Sequence, residues 1–190
     1  MKALLHCEEL AIGAAVARSR SFRDSDGSFR HGARETVKRR VATVSYGVSA
    51  HGGELVDLLV DSERSEVLKG LSRSFPSVSL SGRQLADLEL LLNGAFSPLR
   101  GFMKSADYES VLDRMRLQNG TLWPIPVTLD VPKTLAERLE VGQSLALRDA
   151  EGFMFAVLHV EDLWPIDKER EAERIYGTTS REHPGVDYLF

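Results

Sequence analysis

The stretch from Ser81 to Met103 constrains the fold of this chain more than any other part of the sequence. Ser81 can cap the free N–H groups at the start of a helix, and Gln84 stands at the spacing of a capping box. Leucines then recur with helical spacing, which predicts a helix with one buried face. These leucines are Leu85, Leu88, Leu91 and Leu92.

The same stretch predicts where that helix ends. Asn93-Gly94 follows the last leucine, and glycine readily adopts the left-handed conformation of a helix C-cap. Phe96-Ser97-Pro98 indicates a turn, and Gly101 permits a second turn before Phe102 and Met103 return to the core. The stretch therefore predicts a core helix followed by two turns.

Length and composition indicate a globular protein without a membrane span. The 190 residues suffice for one domain with a tail or for two small domains, and 43% of them are hydrophobic and 27% charged. The sequence lacks an apolar run of about 18 residues, the length that a transmembrane helix requires. The single cysteine, Cys7, cannot form an internal disulfide, so we expect a reducing, cytoplasmic location.

Charge is unevenly distributed along the chain. Residues 1–50 contain nine Lys and Arg against five Asp and Glu, a net charge of +4, whereas residues 51–190 carry a net charge of −8. A nucleic-acid surface needs clustered Lys and Arg. The acidic body therefore argues against nucleic acid as a partner.

Residues 1–48 differ in composition from the rest of the chain. From Arg18 to Arg40 they are rich in Arg, Ser, Gly and Asp and poor in apolar residues. Such a segment buries too little surface to offset the entropy lost on ordering. We expect a disordered N-terminal extension. A basic arm that contacts nucleic acid and translation begun upstream of the natural start remain the alternatives.

Three further helices are predicted around the leucine-rich one. Asp61 or Ser62 can cap a helix that stops at Gly70, Ser105 can cap a second, and Asp167 can cap a third. In the second helix, one face is predicted to be buried and contains Tyr108, Val111, Leu112 and Met115. In the third, a solvated face is predicted for Glu169, Glu171 and Glu173, while Ala172, Ile175 and Tyr176 face inward and Gly177 closes the helix.

Four segments indicate strands. The segment Trp123–Val131 alternates between apolar and other residues, which predicts a strand with one buried face. Its two prolines, Pro124 and Pro126, lack N–H groups on the same side, so that side must be a sheet edge or face a loop. The remaining candidates are a strand at residues 78–80 and a hairpin of residues 145–147 and 153–160, joined through a loop with Gly152.

The order of elements predicts an α+β fold. Helices come first, antiparallel strands follow, and a helix closes the chain. A small, strongly bent sheet or a partial barrel accommodates that order.

Motifs that would indicate an active site are missing from the sequence. It contains neither a G-x-x-x-x-G-K-[ST] loop nor a G-x-G-x-x-G loop, so both standard phosphate cradles are excluded. The five histidines never fall at helical i, i+3 or i, i+4 spacing, which argues against a zinc-type cluster. One of them, His159, lies within a predicted strand and is interpreted as a half-buried structural residue. We therefore predict no catalytic, cofactor-binding or metal-ligating residue.

Four motifs resemble the N-terminal domain of ATP sulfurylase, which is also called sulfate adenylyltransferase. They are H-G-G-E-L-V at 51–56, D-L-E-L-L-L-N-G-A-F-S-P-L-R-G-F-M at 87–103, G-T-L-W-P-I-P-V-T-L-D-V at 120–131 and Y-G-T-T-S-R-E-H-P-G-V at 176–186. They occur in the order and spacing of that family, and residues 1–48 lie outside the resemblance.

The resemblance implies a PUA-like fold, a bent pseudo-barrel with flanking helices, over residues 49–178. It implies that residues 179–190 begin a linker to a catalytic domain, in which Q-x-R-N and H-x-x-H-type motifs act on ATP and sulfate. Neither motif occurs in this sequence. The expected ligand of the longer enzyme is ATP with Mg²⁺, the expected product is adenosine 5′-phosphosulfate, and no cofactor is expected in this part.

The remaining expectations concern partners. Four residues are predicted to shape the core and the surface on which the catalytic domain rests, leaving an exposed apolar patch: Phe96, Pro98, Phe102 and Trp123. The resemblance also implies a homo-oligomer when the protein is full length, and it permits a fused adenylyl-sulfate kinase domain. The alternative function is a stand-alone PUA-like module that binds RNA, against which the acidic body argues.

Overall fold

The computed structural model describes residues 49–190, so the predictions for residues 1–48 lie outside the described part. The described helices are α1 (Ser62–Leu71), α2 (Gly82–Leu92), α3 (Ser105–Arg114), α4 (Lys133–Ala136), α5 (Lys168–Tyr176) and α6 (Pro184–Leu189). The strands are β1 (Ser77–Ser79), β2 (Ser144–Arg148) and β3 (Met154–His159), and a 3-10 turn, Ser72–Ser74, follows α1.

The strands form one small mixed sheet in the order β1-β2-β3. β2 and β3 are the predicted antiparallel hairpin, with Ser144 opposite His159. β1, the strand predicted at residues 78–80, pairs with β2 in parallel, with Ser77 opposite Ala146, a pairing that the sequence analysis did not predict. A parallel neighbour needs a long crossover connection, and α2, α3 and α4 lie between these two strands.

Helix α2 forms as its sequence predicts. Ser81 accepts a hydrogen bond from the Gln84 backbone N–H, and the Gln84 side chain accepts one from the Ser81 backbone N–H, which completes the capping box. Asn93 caps the C-terminus, and Gly94 follows with φ of +82°. The Gln84 amide also donates to the Asp130 carbonyl oxygen at 3.1 Å, which ties the first turn of α2 to the segment before α4.

The core lies between α2, the sheet and the segment that precedes α4. Leu88, Leu91 and Leu92 of α2 are almost completely buried, and so are Leu145 and Leu147 of the central strand. The same cluster includes Phe102, Met103, Val127 and Leu129. Burying each large apolar side chain contributes about 1.5–3 kcal/mol, so this cluster is the main source of stability.

The predicted strand Trp123–Val131 does not form within the described residues. The backbone bends at Ile125, and the segment has no ladder partner beyond an isolated bridge between Arg116 and Leu122. Trp123, Val127, Leu129 and Val131 are buried as the alternation requires, but Ile125 is 46% exposed. The two prolines remove ladder donors, so the hydrogen bonding of a strand is missing, and burial follows the predicted alternation except at Ile125.

Helix α3 is capped differently from the prediction. Ser105 is its first residue instead of its cap, and Asp162 Oδ2 accepts hydrogen bonds from the Ser105 N–H at 3.0 Å and from its hydroxyl at 2.6 Å. The carboxylate of a distant segment thus satisfies one of the free N–H groups at this terminus. Met115 is 50% exposed with φ of +53° at the C-cap, so its place on the buried face was wrong.

The ends of the remaining helices partly follow the prediction. Asp61 caps α1, but the helix continues past Gly70 to Leu71. Asp167 caps α5, and Gly177 closes it with φ of +68°. The unpredicted helix α6 packs on α5 through Ala172, Val186 and Leu189. The division into a domain at 49–178 and a linker at 179–190 stays a prediction.

The capping box gives a prediction about stability. Replacing Ser81 with alanine removes an acceptor for a free helix N–H, so we expect the free energy of unfolding to fall by about 1 kcal/mol. Urea unfolding followed by circular dichroism measures this change. Ser62→Ala is the matched control, because Ser62 is an exposed helix-start serine outside the cap position. An equal loss in both variants would contradict the assigned role.

Candidate functional site

Three separated parts of the chain meet beside the C-terminal end of α2. Ser97 Oγ accepts a hydrogen bond from the Val56 N–H at 2.9 Å and donates to the Gly94 carbonyl oxygen. His51 Nε2 lies 2.8 Å from the Leu122 carbonyl oxygen, 71 residues away in sequence. These contacts bring together the H-G-G-E-L-V, N-G-A-F-S-P-L and L-W-P-I-P motifs of the predicted resemblance.

Two glycines permit this close approach. A Cβ atom on Gly52 would lie 2.7 Å from Pro98 Cγ, and one on Gly94 would lie 2.7 Å from the Val56 carbonyl oxygen. Both glycines also have positive φ, +76° and +82°. A larger residue at either position would separate the segments that build the site.

An aromatic cluster lies where the segments meet. The rings of Phe96 and Trp123 contact each other edge to face, with centroids 5.8 Å apart, and the His51 ring lies 5.9 Å from Trp123. Such pairs contribute about 0.5–1.5 kcal/mol beyond their buried area. The cluster therefore fixes the orientation of the Trp123 ring.

This cluster borders an open groove of about 520 Å³, which we call the aromatic groove. Its walls include His51, Phe96, Leu122, Trp123 and Ile125. Leu122 is 53% exposed and Ile125 46% exposed, so two large apolar side chains face solvent at its edge. Contiguous exposed apolar surface is typical of interaction sites on soluble domains.

The structure places the four predicted interface residues in different environments. Phe96 is half-buried and Trp123 is buried, and both line the aromatic groove. Pro98 is half-buried beside Gly52. Phe102 is fully buried and belongs to the core, so it can support the surface only from beneath. Their role in a domain interface stays a prediction.

Leu122 and Ile125 were not among the predicted interface residues. Ile125 is exposed where the backbone bends, and Leu122 lies just before Trp123 on the opposite face of the alternating segment. Strict alternation placed Ile125 on the buried face together with Trp123 and Val127, so the sequence pattern pointed away from it. The two flanking prolines were the available signal of an irregular, exposed edge.

An ion pair separates the aromatic groove from a small polar pocket of about 30 Å³. Arg83 Nε lies 3.7 Å from Asp87 Oδ2, and both residues line both cavities. Burial raises the pKa of the Asp87 carboxyl above its ordinary value of 3.8, although the Arg83 charge acts in the opposite direction. The pocket is far below the roughly 300–1,000 Å³ of small-molecule sites.

Glu171 corrects the prediction of a solvated acidic face on α5. Its side chain is buried, and Glu171 Oε2 accepts a hydrogen bond from the Tyr108 hydroxyl of α3 at 3.0 Å. Burial and the nearby Glu171 charge raise the pKa of Tyr108 well above its usual range, so the phenol stays protonated and donates. This contact joins α3 to α5. His159 is half-buried as predicted, with Nδ1 3.1 Å from Ser144 Oγ.

Residues 49–190 lack two kinds of feature. That part of the chain has no group of three or more His, Cys, Asp or Glu side chains placed to hold a metal ion. None of its helices is long and apolar enough to cross a membrane.

The raised pKa of Asp87 gives a prediction about pH. Between 3.8 and the folded pKa, the folded chain binds more protons than the unfolded chain, so the free energy of unfolding falls as pH rises through that window. Asp87→Asn should remove this fall and leave the variant more stable than the parent at pH 7. Urea unfolding at several pH values tests this, with the exposed Glu140→Gln as control. A fall that persists in Asp87→Asn would contradict the assignment.

The chain is similar in sequence to a known domain family and to several known proteins. Residues 48–190 match the PUA-like domain family. Sulfate adenylyltransferase from Synechococcus sp. (strain JA-3-3Ab) is 41% identical over 143 residues, which cover 75% of this chain and 36% of that protein. The sulfate adenylyltransferase of Symbiobacterium thermophilum is 45% identical over 142 residues, again 75% of this chain and 36% of that protein.

A longer relative and a solved structure extend the comparison. The probable bifunctional SAT/APS kinase 2 of Sorangium cellulosum is 43% identical over 142 residues, 75% of this chain and 24% of that protein. The hexameric APS kinase from Thiobacillus denitrificans has a TM-score of 0.57 at 40% identity, covering 63% of this chain and 24% of that chain.

The chain thus spans from a quarter to about a third of the length of these relatives. The relatives confirm the resemblance to the PUA-like part of ATP sulfurylase, and the α+β class is confirmed as well. Since the family match extends over residues 48–190, the chain belongs to the PUA-like domain family.

Proposed function

We propose that this chain is the N-terminal, non-catalytic part of a sulfate adenylyltransferase, which joins ATP and sulfate to give adenosine 5′-phosphosulfate and pyrophosphate. The observation that carries the proposal is the match of 75% of the chain, at 41–45% identity, to two proteins named sulfate adenylyltransferase. The same segment holds the PUA-like fold. The proposed role is to support the part of the enzyme that performs the reaction.

The chemistry of the reaction argues that the reactive groups lie elsewhere in the enzyme. Joining two anions requires cationic and hydrogen-bonding groups that neutralise charge on the transferring phosphoryl group. Residues 51–190 carry a net charge of −8, and the wall of the aromatic groove is formed mainly by aromatic and aliphatic side chains. A surface of this kind suits contact with protein better than contact with ATP, Mg²⁺ or sulfate.

The aromatic groove is the proposed contact surface for the catalytic part. Phe96 and Trp123 form a rigid base, and Leu122 and Ile125 present exposed apolar area. Buried aromatic anchors surrounded by smaller apolar contacts are typical of the centre of protein interfaces. The proposal therefore assigns the groove to association within one enzyme.

The proposal extends to assembly and location. One relative is named as a bifunctional SAT/APS kinase and another as a hexameric APS kinase. By analogy, the enzyme that contains this chain forms a homo-oligomer, and its architecture is compatible with a fused adenylyl-sulfate kinase. A cytoplasmic location fits the single cysteine of the sequence. The alternative of an RNA-binding module is not favoured, because the relatives above are named for sulfate activation or APS kinase.

An assay of pyrophosphate release distinguishes a supporting role of this chain from a catalytic role. The 190-residue chain alone, given ATP, Mg²⁺ and sulfate, should release pyrophosphate no faster than a blank. A chimera in which residues 48–190 replace the matched region of the Synechococcus enzyme should release it, because that enzyme retains its own reactive groups. Release by the chain alone would contradict the supporting role, and a folded but inactive chimera would contradict membership of this enzyme.

A further inference from the structure

The described part of the chain begins beside the aromatic groove. His51 lies two residues after Ser49, the first described residue, and it forms part of the groove wall. Its Nε2 atom lies 2.8 Å from the Leu122 carbonyl oxygen, and its ring centroid lies 5.9 Å from that of Trp123. These contacts place the point at which residues 1–48 join the described part next to the groove.

The groove itself indicates the chemistry of its occupant. At its apolar edge, Leu122 and Ile125 are about half exposed. The charged residues in its wall, Arg83 and Asp87, pair with each other at 3.7 Å. An occupant with apolar side chains and no charge of its own therefore matches the surface.

The eight residues before Ser49 have this chemistry. Residues 41–48 have the sequence V-A-T-V-S-Y-G-V and contain no Asp, Glu, Lys or Arg, unlike the Arg-rich residues 18–40 before them. Their side chains alternate with a period of two, which predicts an apolar face for an extended segment. The residues of this face are Ala42, Val44, Tyr46 and Val48.

Charge and tethering favour this segment over a separate partner. Residues 1–50 carry a net charge of +4 and residues 51–190 a net charge of −8, so the N-terminal extension is attracted to the rest of its own chain. Eight extended residues span roughly 26 Å at about 3.3 Å each, a sufficient reach for a groove that borders their attachment point. Attachment through a short tether also gives the segment an effective concentration on the order of millimolar.

We propose that residues 41–48 lie in extended form across the aromatic groove, with Val44 and Tyr46 against Leu122 and Ile125. The N-terminal extension of the chain thus covers the groove. Because the proposed function assigns the same groove to the catalytic part of the enzyme, the extension and the catalytic part compete for it. Only this competition rests on the proposed function; the contact between the extension and the groove involves this chain alone.

Cysteine labelling tests the contact in the 190-residue chain that carries Cys7→Ser and Ile125→Cys. Replacing Val44 and Tyr46 together with aspartate places two charges on the apolar face and should uncover the groove. We expect alkylation at position 125 to become about threefold or more faster, because the rate follows the population of the open groove.

The matched control places the same two charges on the opposite face of the segment. Thr43→Asp and Ser45→Asp together should leave the alkylation rate at position 125 unchanged. Acceleration by neither pair, or equal acceleration by both pairs, would overturn the inference. A rate in the parent chain that falls as its concentration rises would assign the groove to a second copy, with the same consequence.

Proteolysis tests the same contact from the side of the groove, with Ile125 retained in the parent chain. Chymotrypsin cleaves after tyrosine, and the covered Tyr46 should be cleaved slowly. Ile125→Asp should speed this cleavage several-fold, whereas Val141→Asp, at a 65% exposed position outside the groove wall, should not. Equal cleavage rates in the three chains would overturn the inference.

Competition is tested by titrating the chain into Synechococcus sulfate adenylyltransferase that lacks the matched region. The variant with aspartate at positions 44 and 46 should bind more tightly than the parent chain, because its groove is already open. Equal affinities would contradict the competition. Absence of binding by both chains, with labelling as expected, would refute the proposed function alone, and binding by both with equal labelling rates would refute this inference alone.

Discussion

The buried face of α2 is the constraint on which the rest of the structure depends. Leu88, Leu91 and Leu92 are almost completely removed from solvent against the central strand β2 and the segment before α4. The capping box defines where α2 begins, and Gly94 defines where it ends. The position of the turn at Phe96-Ser97-Pro98 relative to the core is set by these two ends. The aromatic groove lies along that turn.

The wall of the aromatic groove is built from segments that are far apart in sequence. Ser97 joins the turn to Val56, and His51 lies against Leu122, so segments that are far apart in sequence form one wall. The stability of the wall derives from the core beneath it, where Phe102 is fully buried. An aromatic base with smaller apolar side chains around it is typical of surfaces that contact another protein.

Features that depend on nearby residues were predictable from the sequence. The capping box of α2, the hairpin of β2 and β3 and the Asp167 cap of α5 each involve residues close in sequence. Features that depend on distant partners were not. Asp162 accepts from the first N–H of α3 from 57 residues away, and Tyr108 donates to the buried Glu171 from 63 residues away. Hydrophobic periodicity indicates which side chains are buried, but it does not identify hydrogen-bond partners that are distant in sequence.

The segment Trp123–Val131 shows the same limit within the site. Alternation correctly predicted burial of Trp123, Val127 and Leu129, but it could not distinguish an extended segment from a strand with a ladder partner. The bend at Ile125 exposes the side chain that now borders the groove. Of the predicted interface residues, Phe96 and Trp123 therefore line the groove, while the sequence pattern did not indicate its apolar edge at Leu122 and Ile125.

The proposed role of this PUA-like chain is to support the catalytic part of a sulfate-activating enzyme through an apolar surface. The most direct test is a calorimetric titration of the 190-residue chain into Synechococcus sulfate adenylyltransferase that lacks the matched region. We expect saturable binding with a negative heat-capacity change, because the contact buries apolar area. Absence of binding to a folded partner, or binding without that heat-capacity change, would contradict it.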